Sequence, residues 1–350
     1  MTTTQPTLST PTQAPVSPER IQQFAWGYVP PLVLEAAIRH GVFDTLDTGP
    51  KTVAEVAQAT GASQRGLTAI MNVLVGLSFL AKDGQGKYSL TPESETFLVS
   101  TKPSFLGGII RHCSQHLIPK WLSLNEIVVT GKPVAAVNQQ EAGSDFFQEF
   151  VDDIFPMSYP AAKALARHID AGSASQPIRV LDLAAGSGVW GIAVAQSSPL
   201  IQVTAVDWLG VIPVTQKTVA RFGLTEQFSF VEGDLMEADF GSGYNLATLG
   251  HILHSEGIER SRALLAKTFA ALAPGGVIAI AEFLVNADRT GPVPCLFFAA
   301  NMLVNTDHGD TYSFEEIANW LTEAGFTNSR TLEAPGPSPL ILASKPATKP

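Results

Sequence analysis

The sequence has few of the residues that mark several large classes of protein. Its 350 residues include only two cysteines, Cys113 and Cys295, too few for a disulfide framework or a structural zinc site. Charged residues make up 15%, and the 22 basic ones are outnumbered by 32 acidic ones, which gives a net charge of -10. Because phosphate contacts need a basic surface, this balance argues against nucleic acid as the main partner.

Long apolar runs are also lacking. The longest, residues 293–304, is too short and too interrupted to span a bilayer, so no membrane association is expected. No early segment combines positive charge, an apolar stretch and a small-residue cleavage site. Together with the scarcity of cysteine, this favours a cytoplasmic protein. Residues 1–17 are mostly Thr, Pro, Gln and Ser, and they predict a disordered tail.

The chain is long enough for two domains, and its first part is mainly helical. Hydrophobic residues make up 45% of the sequence, enough for a large core. Residues 52–61 predict a helix with a capping box and a glycine stop, residues 63–77 a second helix, and residues 79–90 a hairpin. This order is that of a winged helix. Its second helix has Arg65 as its only basic residue, so dimerisation or substrate covering is favoured over reading a DNA groove.

The second part alternates strands and helices. Residues 170–177 have the composition of a linker, so the predicted division is a helical domain over residues 18–170 and a second domain over 171–350. Alternation predicts an α/β fold with a mostly parallel seven-stranded sheet covered on both faces. The last two predicted strands, residues 328–332 and 339–343, are close in sequence. They predict an antiparallel hairpin at the sheet edge.

A glycine-rich turn follows the first strand of this sheet. Gly186 and Gly188 allow a sharp turn and a close approach of the backbone to a ligand. Gly191 completes the spacing of a dinucleotide-binding loop. The glycines therefore fit both NAD and S-adenosylmethionine, and they do not distinguish between the two cofactors.

Three carboxylates at successive strand ends favour S-adenosylmethionine. Asp182 precedes the glycines, where it would repel a pyrophosphate but could receive an ammonium group. Asp207 ends the second strand, where ribose hydroxyls are held. Asp234 follows the third strand, where it could accept an adenine amino group. Each of them has a structural alternative, such as a loop cap, but the three together are specific.

Because of these glycines and carboxylates, the segment 171–350 resembles the class I S-adenosylmethionine-dependent methyltransferases. Nearly the whole chain resembles the O-methyltransferase family of plant phenolic and bacterial natural-product enzymes. The resemblance implies S-adenosylmethionine as cofactor, S-adenosylhomocysteine as product, a small-molecule methyl acceptor, and a homodimer formed through the N-terminal domain. The cofactor-binding positions that it implies are Asp182, Gly186, Gly188, Asp207, Trp208, Gly233, Asp234, Leu235 and Met236.

The chemistry needs a general base if the methyl acceptor is a hydroxyl group. His254 falls on the general base of the family, and Glu282 on a carboxylate that orients it. A buried structural histidine is the alternative.

The sequence also departs from the family pattern near this base. Ser255 stands where the family often has aspartate, and Gly250 where plant members have lysine. Asp310 could replace a missing second glutamate only if its loop shifts. Oxygen methylation is favoured, and methylation of an acidic carbon stays open.

Other patterns near this histidine are weaker. His251, His254 and His308 could share a metal ion, but no metal is predicted. The acceptor pocket should be apolar, and Met157, Phe298 and Met302 are its predicted lining. Two further functions stay open. The glycine spacing allows an NAD-dependent oxidoreductase, and the winged-helix order allows a non-catalytic, ligand-sensing regulator.

Overall fold

The computed structural model describes residues 16–137 and 150–347. Residues 1–15 of the predicted tail lie outside the described part. The chain forms two compact units, Met1–Thr91 and Pro92–Pro350.

The first unit is a group of helices followed by a hairpin, in the order predicted. Thr52 and Glu55 form the predicted capping box, and Gly61 ends that helix in the left-handed conformation. Leu67, Met71 and Leu74 on the next helix are buried. The elements are α1 (Glu19–Ala25), α2 (Val29–Arg39), α3 (Val42–Leu46), α4 (Val53–Thr60), α5 (Gln64–Gly76), β1 (Leu80–Lys82) and β2 (Tyr88–Leu90).

The second unit begins with short helices. A π-helical turn, Cys113–Leu117, joins two of them. These helices are α6 (Pro92–Phe97), α7 (Gly107–His112), α8 (Ile118–Trp121), α9 (Leu124–Thr130) and α10 (Phe155–His168).

Alternating strands and helices then build the sheet. The strands are β3 (Ile178–Leu183), β4 (Ile201–Asp207), β5 (Phe228–Glu232), β6 (Tyr244–Gly250), β7 (Leu272–Ala281), β8 (Thr327–Leu332) and β9 (Leu340–Ser344). The helices are α11 (Val189–Ala195), α12 (Ile212–Arg221), α13 (Leu253–Ala271), α14 (Val293–Asn305) and α15 (Phe314–Glu323).

Seven strands of the described chain form one sheet in the order β5-β4-β3-β6-β7-β9-β8. The first five are parallel, and β9 is antiparallel to both β7 and β8. This confirms the predicted α/β fold and its antiparallel hairpin. The carboxyl ends of the five parallel strands meet at one edge, where ligands bind in open α/β sheets.

Apolar clusters cover both faces of the sheet. Leu165 of α10 and Ile192 of α11 belong to one cluster, and Leu265 of α13 and Ile317 of α15 to the other. Within the described residues, no helix is both long and apolar enough to cross a bilayer.

The compact units divide at a different place from the predicted domains. The predicted boundary lies at residue 170, whereas the units divide after Thr91. The physical reason is that α10 buries Ala162 and Leu165 in the apolar cluster of the sheet. The helices from α6 to α10 therefore belong to the sheet-containing unit, and a functional division near residue 170 stays a prediction.

Candidate active site

The glycine-rich turn lies between β3 and α11. Gly186 has φ 56° and Gly188 has φ 78°, which are left-handed conformations that favour glycine. Gly188 is the N-cap of α11. The backbone N–H of Gly186 donates to Asp207 at 2.7 Å, so the end of β4 holds the turn in place.

Asp182 is fully buried, and each of its two carboxylate oxygens accepts a hydrogen bond. The Gly191 N–H donates to one oxygen at 2.9 Å, and the Thr248 hydroxyl donates to the other at 2.7 Å. Burial raises the pKa of Asp182 to about 7, although these two hydrogen bonds oppose the shift. The described contacts give Asp182 a role in holding the turn, and contact with an ammonium group stays a prediction.

Gly191, which matched the dinucleotide spacing, is explained by packing. A Cβ atom there would lie 2.8 Å from Val203 and 2.9 Å from the Asp182 carboxylate. A side chain would therefore separate α11 from the sheet and break the hydrogen bond to Asp182. The third glycine of the pattern serves the contact between helix and strand.

Asp207 is partly exposed at the end of β4. Its carboxylate accepts the N–H groups of Gly186 and Trp208, each at 2.7 Å. Burial raises its pKa to about 6, while the two hydrogen bonds lower it. These contacts orient the carboxylate at the edge where the ribose-binding prediction places it.

The loop after β5 holds the third carboxylate. Asp234 accepts the Met236 N–H at 2.8 Å and forms an ion pair with Arg260 at 3.0 Å. Gly233 donates its N–H to the Asp207 carbonyl at 3.0 Å, which links this loop to β4. The side chain of Leu235 is 6% exposed and belongs to an apolar cluster of the sheet, so it anchors the loop by packing in the core.

The pairing of Asp234 with Arg260 was missed by the sequence reasoning. Arg260 also donates to Glu256 at 2.6 Å, so one guanidinium joins the loop after β5 to α13. The only sequence signal was the spacing of Glu256 and Arg260 by four residues on a helix.

His254 and Glu282 form a buried pair at the ends of β6 and β7. The His254 Nδ1 lies 2.8 Å from a Glu282 oxygen, and the His254 backbone N–H donates to the other oxygen at 3.2 Å. His254 is 9% exposed and Glu282 4%. Burial raises the pKa of Glu282, but His254 and its hydrogen bonds outweigh that effect and leave the pKa below its ordinary value. Glu282 is therefore ionised near neutral pH.

His251 lies beside this pair in a strained conformation. Its φ is 61°, which is uncommon for a residue with a side chain. Its Nδ1 atom is buried without a hydrogen-bond partner among the described residues. Burial lowers the pKa of His251 to about 4, with His254 acting in the same direction and Glu282 against it. The imidazole is therefore neutral near pH 7.

Aromatic rings form the apolar side of this site. Phe283 and Phe298 stack with their centroids 3.9 Å apart, and His254 meets Phe298 edge-on at 4.8 Å. Phe298 thus lies beside the pair, and its place in an acceptor pocket stays a prediction. Met302 is 5% exposed, whereas Met157, at the start of α10, is 44% exposed. Their contact with an acceptor stays a prediction.

Two other predicted groups lie elsewhere. The Asp310 carboxylate bonds to Arg289 at 3.3 Å and to the Thr311 N–H at 2.7 Å. Its link to His254 is a backbone bond to the His254 carbonyl. His308 is exposed. In the described part of the chain, the group that could hold a metal ion is His251, His254 and Glu282, with ligand atoms within 4.8 Å of one another.

Gly250, where plant members of the family have lysine, is explained by a neighbour. A Cβ atom at this position would lie 2.0 Å from the Trp190 indole nitrogen. Trp190 is 5% exposed, so it has little room to move. Trp190, in the first turn of α11, therefore requires glycine at the end of β6.

Comparisons with known proteins identify the family that the chain resembles. Residues 22–100 match the O-methyltransferase dimerisation domain, and residues 161–327 match the O-methyltransferase domain. A 3-hydroxy-5-methyl-1-naphthoate 3-O-methyltransferase from Streptomyces sahachiroi is 28% identical, over 94% of this chain and 95% of the relative. The tetracenomycin polyketide synthesis 8-O-methyl transferase TcmO from Streptomyces glaucescens is 27% identical, over 94% and 97%.

A solved structure extends the likeness to the fold. PigF, an S-adenosyl-L-methionine-dependent methyl transferase from Serratia sp., was solved with SAH. It superposes with a TM-score of 0.81 at 25% identity, over 95% of this chain and 100% of that one. Neither the NAD-dependent oxidoreductase nor the ligand-sensing regulator finds support in these comparisons.

Proposed function

The chain belongs to the S-adenosylmethionine-dependent O-methyltransferase family, and from this premise we propose that it methylates a hydroxyl group of a small aromatic or polyketide-like molecule. Its enzyme class and cofactor follow from the family. The acceptor, the general base and the binding residues are the content of the proposal. The buried pair of His254 and Glu282 is the observation that carries it.

The residues at the ends of β3, β4 and β5 suit the cofactor. The turn at Gly186 and Gly188, with φ 56° and 78°, lets the backbone approach a ligand closely at the edge of the sheet where ligands bind in this kind of fold. Asp207 would hold the ribose hydroxyls, and Asp234 with Met236 would frame the adenine. Trp208 would add a ring beside them. When bound, S-adenosylmethionine supplies a methyl group on a positively charged sulfur.

His254 is proposed to take the proton from the acceptor hydroxyl. Glu282 is ionised and accepts a hydrogen bond, so the His254 Nδ1 carries the proton of that bond. The Nε2 atom of His254 then has the lone pair that a general base needs. Phe298, edge-on to the same ring, excludes water from one side and gives an aromatic acceptor a surface to pack against.

Oxygen methylation is favoured over carbon methylation by the kind of base and by the relatives. An imidazole nitrogen held in place by a carboxylate suits removal of the proton from a phenolic hydroxyl. The relatives named above act, by their names, on a hydroxynaphthoate and in tetracenomycin synthesis. An acceptor with fused aromatic rings fits the stacked pair of Phe283 and Phe298.

The proposed assembly is a homodimer formed through the N-terminal unit. This rests on the match of residues 22–100 to a dimerisation domain and on apolar side chains that α1, α2 and the turn between them leave exposed. These exposed side chains are Ile21, Phe24, Trp26, Tyr28 and Leu32. Light scattering at several protein concentrations would measure the mass of the assembly in solution.

The test of this function is product identification. The full chain is incubated with S-adenosylmethionine and, separately, with hydroxynaphthoates and hydroxyanthraquinones, and the products are analysed by mass spectrometry and NMR. We expect one added methyl group on oxygen. Calorimetric titration should show binding of S-adenosylmethionine and its demethylated product but not of NAD.

Two results would contradict the proposal in different ways. A methyl group on carbon would leave the enzyme class intact and replace the hydroxyl acceptor with an acidic carbon. Binding of S-adenosylmethionine without methylation of any aromatic hydroxyl in the set would overturn the acceptor class.

A further inference from the structure

His251 combines a strained backbone and an unpartnered buried nitrogen with a position at the ligand-binding edge of the sheet. It has a positive φ of 61°, its Nδ1 atom is buried without a hydrogen-bond partner among the described residues, and it directly follows β6 at the sheet edge. Strain and unsatisfied polar atoms persist where the surrounding structure holds them, and they gather at functional sites.

The surroundings hold His251 firmly in this position. Its backbone N–H donates to the Ala281 carbonyl at 2.8 Å, which ties it to the end of β7 beside Glu282. Its ring lies 5.1 Å from Phe283 and 6.4 Å from His254, centroid to centroid. The imidazole is therefore fixed against the aromatic side of the site, within reach of a molecule bound at His254.

The hydrogen-bonding roles of the two histidines are complementary. The Nδ1–H of His254 donates to Glu282, which leaves Nε2 of His254 as a proton acceptor. In His251 the buried Nδ1 has no hydrogen-bond partner among the described residues, so an N–H at this atom would have no acceptor. The single proton of the neutral ring is therefore better placed on Nε2. One histidine thus presents an acceptor and the other a donor.

We propose that His251 determines acceptor specificity by donating a ring N–H to a second oxygen of the acceptor, a carbonyl or similar oxygen beside the hydroxyl that is methylated. This rests on the proposed function and narrows its acceptor class. The preferred molecule carries a hydroxyl for His254 and a neighbouring proton-accepting oxygen for His251. Hydroxyquinones in which the hydroxyl is peri to a carbonyl oxygen are the simplest examples.

A matched pair of acceptors tests this. 1-Hydroxyanthraquinone carries the hydroxyl beside a carbonyl oxygen, whereas 2-hydroxyanthraquinone carries it away from both carbonyls. The kcat/KM of each is measured with the wild type, His251→Phe and His251→Asn, and binding is measured with S-adenosylhomocysteine present. Because the inherent reactivity of each isomer is the same for every variant, the ratio between the isomers isolates the contribution of residue 251.

We expect His251→Phe to lower kcat/KM and binding by about tenfold for the 1-hydroxy isomer, with little change for the 2-hydroxy isomer. His251→Asn should retain part of the preference, because asparagine tolerates a positive φ and keeps an N–H donor. His308→Phe, a change at an exposed histidine, serves as the control and should leave the ratio unchanged.

Three results would overturn the inference. Equal losses on both isomers would make His251 a structural residue of the loop while leaving the proposed function intact. Loss of activity with EDTA and its return with Zn²⁺ would make His251 a metal ligand beside His254 and Glu282. Failure of the wild type to bind or methylate either isomer would remove the acceptor class itself.

Discussion

The two halves of the sheet edge are built differently. At the ends of β3 and β4, carboxylates accept backbone N–H groups: Asp182 from Gly191, and Asp207 from Gly186. At the ends of β6 and β7, the side chains of His254 and Glu282 bond to each other. The ends of β3 and β4, proposed to bind the cofactor and called the cofactor half below, are thus shaped by backbone hydrogen bonds. The ends of β6 and β7, proposed to bind the methyl acceptor and called the acceptor half, are shaped by individual side chains.

This difference predicts how each half responds to substitution. Changes at His254 and Glu282 should alter turnover and leave cofactor affinity intact, because the hydrogen bonds given above for Asp182 and Asp207 involve neither of these side chains. Changes in the cofactor half should alter cofactor affinity or the stability of the fold. The substitutions below test this separation, beginning with the largest expected effect.

His254→Ala should lower kcat by about 10² to 10⁴-fold, the usual contribution of a general base. The affinity for S-adenosylhomocysteine, measured by calorimetry, should stay within about twofold, because His254 is not proposed to contact the cofactor. A twofold change in affinity is far smaller than the change caused by losing a hydrogen bond to a charged group. A parallel loss of cofactor affinity would show that the two halves are coupled.

Asp207→Ala should weaken S-adenosylmethionine binding by about 10 to 100-fold, because the Gly186 and Trp208 N–H groups lose their acceptor. Turnover at saturating cofactor should change much less. Calorimetry gives the affinity, and the rate at saturation gives the comparison. An unchanged affinity would remove Asp207 from the cofactor site.

Gly250→Ala should destabilise the fold by about 1–3 kcal/mol, the usual cost of overpacking, because its Cβ would meet Trp190 at 2.0 Å. The free energy of unfolding is measured with denaturant. Gly76→Ala, where a Cβ meets nothing within 4 Å, is the control and should not destabilise. Equal stabilities of the two variants would show that Trp190 can move away.

Asp182→Asn should change the pH dependence of stability. Burial raises the pKa of Asp182 from 3.8 to about 7, so between these values the folded chain binds a proton that the unfolded chain releases. The contribution of Asp182 to the free energy of unfolding is therefore full below about pH 4 and falls as the pH rises to about 7, by at most about 1.4 kcal/mol per pH unit.

The measurement compares denaturant unfolding of the wild type and Asp182→Asn at several pH values. The wild-type free energy of unfolding, minus that of the variant, should decrease as the pH rises through this window. A constant difference would mean that Asp182 does not titrate there, and that its carboxylate is better solvated than its burial indicates.

Local signals made much of the fold predictable from sequence. The capping box at Thr52 begins a helix as expected, and the alternation after residue 177 gives the sheet. These features depend on residues close together in the chain. The division after Thr91 was not predictable in this way, because it depends on how α10 packs against distant residues.

The residue types of the site and its contact between His254 and Glu282 were predictable, but its other contacts were not. His254 and Glu282 meet as predicted, because parallel strands bring their carboxyl ends to one edge. The partner of Asp234, Arg260, and the strained backbone of His251 were not visible. Such features arise from tertiary packing. Because each involves one or two residues, it leaves no repeating pattern in the sequence from which it could be predicted.

The most direct test of the proton-transfer role is the single-turnover rate of methyl transfer to a phenolic acceptor, for the wild type and His254→Ala, across neutral and alkaline pH. If His254 removes the hydroxyl proton, the variant should be slow near neutral pH. It should regain much of its rate as the acceptor ionises without help near the pKa of a phenol, about 10. A variant as fast as the wild type at neutral pH, or one whose deficit is the same at every pH, would contradict the account.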